Sequence, residues 1–181
     1  VDNCIKSLPS GNVVNVGAGF TRAASNDHDI FTIDLDPTVL TSDRAVAADI
    51  ALLPFADQSF DGALLKDVLE HVPNPVAALT ELARVCKGGA ELIVTVPRAI
   101  PRAVWADPTH LRGFTRDSLC WTFEMAGWQV AGPVRRMGSI PGAGHFPILL
   151  DHAQDILRVP GLGHWFGLNW IARARLAPGR D

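Results

Sequence analysis

Asn12-Val13-Val14-Asn15-Val16-Gly17-Ala18-Gly19 (NVVNVGAG) is the stretch on which the fold turns. A short apolar run stops at two glycines one residue apart, so it reads as a buried first strand feeding a tight turn. A glycine turn in that place lets the backbone approach a ligand closely. Nicotinamide-binding folds use the same device, and the third glycine separates the two cases. Their fingerprint would need Gly at position 22, where this chain has Arg22. A bulky side chain where a helix must pack tightly on the strand, beside a pyrophosphate, argues against a dinucleotide. The chain also contains no tyrosine, and so no Tyr-x-x-x-Lys pair.

Outward from that turn, apolar runs alternate with helical patterns, as parallel strands joined by crossover helices require. Ile30–Asp34 (IFTID) is a second strand closed by Asp36-Pro37, and Ala45–Ala48 a short third running into Asp49. Phe60–Leu65 (FDGALL) is a fourth, and Glu91–Val96 (ELIVTV) a fifth stopped by Pro97. Asn74-Pro75 is an N-cap followed by proline at the first helical position. Val76, Leu79, Ala83 and Cys86 then share one helical face, and Lys87-Gly88-Gly89 supplies a cation and a glycine stop. Thr115 caps a later helix whose Leu119, Phe123 and Ala126 share a face before Gly127. Trp128–Met137 and Leu168–Leu176 read as two late strands, an antiparallel pair at the sheet edge. Between them Gly138–Gly167 is rich in glycine and proline, with an amphipathic stretch around Pro147–Val159.

The bulk numbers agree with one α/β domain. A chain of 181 residues, 48% hydrophobic and 19% charged, suits a single core over residues 1–181 and excludes a disordered chain. A net charge of −3 argues against a bare nucleic-acid binder, so no nucleic-acid partner is expected. Cys4, Cys86 and Cys120 are odd in number and lack CxxC spacing, and read as small hydrophobes. No signal peptide opens the sequence, and no apolar run approaches the ~18 residues of a membrane span. The expectation is a cytoplasmic protein.

Two carboxylates are placed for a nucleoside. Asp34 ends the second strand, where in this topology it faces the crevice above the strands' carboxyl ends and can accept both ribose hydroxyls. Asp36 competes for that role, but with Pro37 after it Asp36 reads as a turn residue. Asp49 ends the third strand, where it can accept an adenine amino hydrogen while Ile50 packs on the ring; its other reading is a helix cap.

The stretch from Val13 to Val96 resembles the class I S-adenosylmethionine (SAM) dependent methyltransferases, especially the small-molecule enzymes of the UbiE-like core. VVNVGAGF, IDLDP, ADIALLPFADQSFDGALLKDVLEHV and LARVCKGGAELIVTVP carry the likeness in order. DPTHLRGFTRDSL, FEMAGWQV and NWIARARLAP extend it towards members from polysaccharide and cell-envelope pathways. The resemblance implies a Rossmann-like doubly wound sheet of seven strands, order 3-2-1-4-5-7-6 with strand 7 antiparallel. It also implies SAM as cofactor and a small-molecule acceptor. Gly17, Ala18 and Gly19 would line the methionine and ribose region, Asp34 and Leu35 the ribose, and Asp49 and Ile50 the adenine. Lys66 would lie between cofactor and acceptor. At position 15 the family usually has an acid, and Asn15 offers its amide oxygen to the cofactor's ammonium without charge assistance. Thr21 stands where a third glycine is frequent.

Displacement at a sulfonium erases a charge, so orientation carries much of the rate, and a base is needed only for an acceptor that must lose a proton. His110 is the candidate base, with Asp107 three residues earlier as its orienter; both also read as loop-shaping residues. His71 reads as a structural residue at a strand-to-helix junction. Residues 138–167 are the expected acceptor lid, and the same apolar content suits core or an oligomer surface. The acceptor is expected to be a glycosyl, lipid-linked or aromatic hydroxyl. The alternative reading is a SAM-fold binding or regulatory module that has lost catalysis.

Overall fold

Val13 and Val14 are wholly buried and Val16 nearly so, because both faces of the central strand they belong to are covered by apolar clusters. In the computed structural model, which describes residues 2–19, 26–105, 107–137 and 168–178, β1 (Gly11–Val16) runs parallel to β2 (His28–Asp34) and to β4 (Phe60–Lys66). β2 carries β3 (Ala45–Ala47), and β4 carries β5 (Cys86–Pro97), all parallel. β8 (Asn169–Leu176) lies antiparallel on β5, and its far edge takes β6 (Trp128–Val130) and β7 (Arg135–Met137). The resulting order is β3-β2-β1-β4-β5-β8-β6, with β7 also on β8. That is the expected doubly wound order with one correction. The expected strand Trp128–Met137 is two strands, interrupted where Gly132 adopts φ 97 and Pro133 has no N–H to give.

Helix α2 (Pro75–Val85) starts as its sequence dictates, with the Asn74 side chain accepting from Ala77 N at 3.1 Å. Its buried face is Pro75, Ala78, Leu79, Leu82 and Val85; Val76 and Ala83, expected inside, are only partly covered. The helix is apolar on two adjoining faces, and its tertiary neighbours choose between them. Trp128, wholly buried, donates its indole N–H to Leu79 O at 2.9 Å and fixes that choice. The expected glycine stop is also corrected. α2 gives way directly to β5 at Cys86, which pairs with Phe60, and Lys87 turns outward to Asp61 at 2.7 Å.

α4 (Arg116–Met125) has the expected cap: Thr115 and Ser118 exchange hydrogen bonds of 3.0 Å in a capping box. Its Leu119 and Phe123 join Phe60, Leu65, Leu79, Leu82 and Trp128 in the main core. The sheet's other face holds a smaller cluster of Leu8, Val13, Leu64, Ile93 and Ile5, the last from α1 (Asp2–Ile5). Each wholly buried leucine contributes about 1.5–3 kcal/mol. After β5 the chain makes α3 (Pro101–Val104) and returns through residues 107–114, held by Ala99 N to Phe114 O and Phe114 N to Pro97 O at 2.8 and 2.9 Å. A Cβ at Gly113 would run into Val104 Cγ2, so only glycine lets the two limbs of this loop meet. Residues 138–167, with the expected lid, and positions 21 and 22 lie outside the described residues.

Candidate functional site

From β1 the chain winds to β2 and β3 on one side and then crosses to β4 on the other. The order reverses beside β1, and open α/β sheets bind ligands outside the strands' carboxyl ends at such a point. Asp34 sits there. One carboxylate oxygen accepts from Gly19 N at 2.8 Å, and the other accepts from Asp36 N at 3.0 Å. Asp36, as its Pro37 predicts, is spent on its own turn. Its carboxylate accepts from Thr38 N and Oγ1 at 2.9 and 2.7 Å, and those bonds hold its carboxyl below the usual carboxylate range.

Gly17 and Gly19 have different reasons to be glycine. Both have positive φ, 66° and 51°. A Cβ on Gly17 would collide with Val68 Cγ2, whereas one on Gly19 would meet nothing within 4 Å among the described residues. The first glycine admits the turn after β4. Ala18 is buried beside them, and Leu35 is 74% exposed past Asp34. Asn15 is 2% exposed, and its amide nitrogen has no hydrogen-bond partner among the described residues. Asp49 is exposed and accepts from Ala51 N at 2.8 Å, closing a turn. Ile50 packs into the main core, so only its edge is open to a ring.

At the far end of β4, Lys66 points outward and Asp67 takes φ 55. Asp67 Oδ1 accepts from Thr95 Oγ1 at 3.0 Å and from Asn169 Nδ2 at 2.9 Å, tying β4 to β5 and β8. The sequence singled out Lys66 and passed over its neighbour. The available signal was weak: Asp tolerates the left-handed region better than most residues.

Three residues on, Glu70 is 1% exposed, and neither carboxylate oxygen accepts a hydrogen bond among the described residues. Burial pushes its carboxyl up to about 8, and the Asp67 and Asp107 carboxylates add to the shift. Glu70 O accepts from Leu111 N at 2.8 Å, which draws the loop carrying His110 over it. His110 Nε2 lies 3.9 Å from Glu70 Oε1, and its Nδ1 is 2.7 Å from Val104 O. A carbonyl only accepts, so Nδ1 is the protonated nitrogen and Nε2 of the neutral ring carries the lone pair.

The expected pairing of Asp107 with His110 takes a different form. Asp107 accepts from Thr109 N and Oγ1 at 2.8 and 2.6 Å, and Thr109 Oγ1 lies 3.1 Å from His71 Nδ1. Asp107 therefore reaches His71 through Thr109, and Val104 orients His110. His71 in turn packs edge-on against the His110 ring at 4.7 Å. Sequence reasoning read His71 as structural and gave Glu70 no role of its own, because spacing does not reveal that a carboxylate is buried.

A methyltransferase-domain family matches residues 14–94. A demethylmenaquinone methyltransferase of Renibacterium salmoninarum is 31% identical over 106 residues, 52% of this chain and 44% of that protein. An uncharacterized protein of Methanocaldococcus jannaschii is 38% identical over 90 residues, 46% of this chain and 40% of its own length. The chain thus spans less than half the length of these relatives. The crystal structure of a SAM-dependent methyltransferase from Methanosarcina mazei superposes with a TM-score of 0.70 at 15% identity, over 99% of both chains, and establishes the shared fold. Among the described residues no helix is long and apolar enough to cross a membrane.

Proposed function

We propose that this class I SAM-dependent methyltransferase moves a methyl group onto a small-molecule acceptor, with SAM across the carboxyl ends of β1–β3 and the acceptor beside β4, β5 and β8. The observation that carries the reading is Asp34, which stands at the reversal of strand order and holds the Gly19 turn from below. SAM supplies a methyl on a cationic sulfur, so positioning carries much of the work.

The residues present fit that ligand. A carboxylate has about four lone-pair sites, and Asp34 has given two to backbone amides, leaving each oxygen able to accept a ribose hydroxyl. A Cβ on Gly19 would meet nothing among the described residues, and Asn15 Nδ2 is an unmatched donor, suited to the cofactor's carboxylate rather than to the ammonium expected from the sequence. Asp49, with the edge of Ile50, suits the adenine end; Leu35 flanks the ribose and Lys66 the methyl-bearing end.

For a hydroxyl acceptor, His110 takes the proton at Nε2, its ring held by Val104. Trp105 and Leu111, 67% and 53% exposed on either side of His110, favour an acceptor with an apolar body, such as a glycosyl-lipid or aromatic hydroxyl. Residues 138–167 form its outer wall in this reading. Met137 and Asn169 pair directly, so the segment departs and returns at the sheet's carboxyl edge, beside Asp67. The free cysteines Cys4, Cys86 and Cys120 support a cytoplasmic setting.

Calorimetric titration with SAM and S-adenosylhomocysteine tests the first half, and a methylation screen over glycosyl, quinone and phenolic acceptors the second. Binding of NAD in place of SAM overturns the reading. The uncharged Asn15 favours a second one, a SAM-binding module without turnover; SAM affinity with no acceptor methylated in the screen would support it.

A further inference from the structure

We propose that Glu70, His71 and His110 form a site for a divalent transition-metal ion of the zinc type at the acceptor end of the crevice. One potential ligand atom from each of the three lies within 4.8 Å of the others. In a tetrahedral zinc set such atoms stand roughly 3.4 Å apart, so small side-chain rotations close the site.

Three observations distinguish this cluster from an ordinary core ion pair. Glu70 is buried with no hydrogen bond to either oxygen among the described residues, a state that calls for a cation or a proton against it. Its 3.9 Å approach to His110 Nε2 is too long for a hydrogen bond, whereas a closed ion pair would bring the atoms to about 2.8 Å. Each histidine also has one ring nitrogen already engaged. His110 gives Nδ1–H to Val104 O at 2.7 Å. His71 Nδ1 faces Thr109 O at 3.3 Å and Thr109 Oγ1 at 3.1 Å, and that hydroxyl donates to Asp107 at 2.6 Å. Metal-bound histidines are fixed this way, with the rear N–H given to a carbonyl or a carboxylate chain and the lone pair turned to the ion. Two imidazoles and one carboxylate are a donor set for zinc that leaves a coordination position open.

The binding site stands on this geometry alone; its role rests on the methyl-transfer reading. With an ion present, the His110 lone pair is committed to it. The ion, rather than the ring, would then ease loss of a proton from an acceptor hydroxyl at the open position, the proton passing to solvent water.

The test is zinc uptake by the chelator-stripped full chain after dialysis against Zn²⁺, measured by elemental mass spectrometry together with the melting temperature and SAM titration. The expected result is one ion per chain and a raised melting temperature. Glu70→Gln keeps the side chain's shape and neutral form, and should abolish both effects. Thr109→Val, which touches no ion, should weaken uptake about 10–100-fold. His110→Gln is measured in parallel in case either variant folds poorly. Cobalt loading should give weak visible bands without a thiolate band, which excludes the cysteines as the ligands. No uptake by wild type that still binds SAM, or undiminished uptake by Glu70→Gln, overturns the metal site. Uptake of one ion without SAM binding sustains the metal site and overturns the methyl-transfer reading instead.

Discussion

Asp34 serves two backbone amides, so in the proposed reading its removal would act on both the turn and the cofactor. Asp34→Ala should weaken SAM binding by at least about tenfold in calorimetry, since each bond to a charged acceptor contributes roughly 1.5–3 kcal/mol. Unchanged affinity would move the ribose contact elsewhere. For a hydroxyl acceptor, His110→Ala should lower kcat by about 10²–10⁴ with SAM affinity intact, measured in steady-state assays. A loss under about threefold would leave the ring a structural role. Asp36 and the caps Asn74 and Thr115 were legible in the sequence because their roles are local: each bonds a backbone amide two or three residues away; for Asp34 the strand end was legible. Glu70 was not, because its burial depends on Leu111, 41 positions later, folding back onto its carbonyl. Nor was the Asp107–His71 link, which runs through a threonine that no pattern flags.

At the scale of elements, α2 is tied to the loop before β4 by one guanidinium. Arg84 donates to Glu81, to Asp57 and to the carbonyls of Leu53 and Phe55. Glu81 also accepts from Leu53 N at 2.8 Å, and the Arg84 bonds hold its carboxyl below the usual value. A carboxyl lowered by folding stabilises the fold above its unfolded pKa and loses that contribution as pH falls through the folded one. The melting temperature should therefore drop more steeply in wild type than in Glu81→Gln as pH falls below the ordinary carboxyl value of 4.5. On the other side of α2, Trp128→Phe removes the bond to Leu79 O and part of a filled volume. It should cost about 1–2 kcal/mol, roughly 2–8 °C in melting temperature for a chain of this size. The start of α2 could be read from Asn74-Pro75; its buried face could not, because Trp128 lies far along the chain and settles a choice that periodicity left open.

For the molecule as a whole, the residues that flank positions 138–167 are held together by the sheet. Met137 and Asn169 sit opposite each other in the β7–β8 ladder, so a short flexible linker can span them. A chain with residues 138–167 replaced by such a linker should keep its melting transition and SAM affinity while the acceptor's KM rises at least tenfold, read in the same calorimetric and kinetic assays. Equal KM values would place the acceptor wall elsewhere.

The late strand β8 carries a temporal consequence. It is the last strand among the described residues, yet it lies between β5 and β6, and Arg175 must find Glu91 across 84 residues. As the polypeptide leaves the ribosome, β1 to β5 can pair in order, but the apolar run Leu92–Val96 then waits with a bare edge. Pairings this remote in sequence are slow to close and leave nascent chains open to wrong partners. The residues of β8 thus set the moment at which this edge of the sheet stops being adhesive, and a cell that makes this protein must shelter that edge until they arrive.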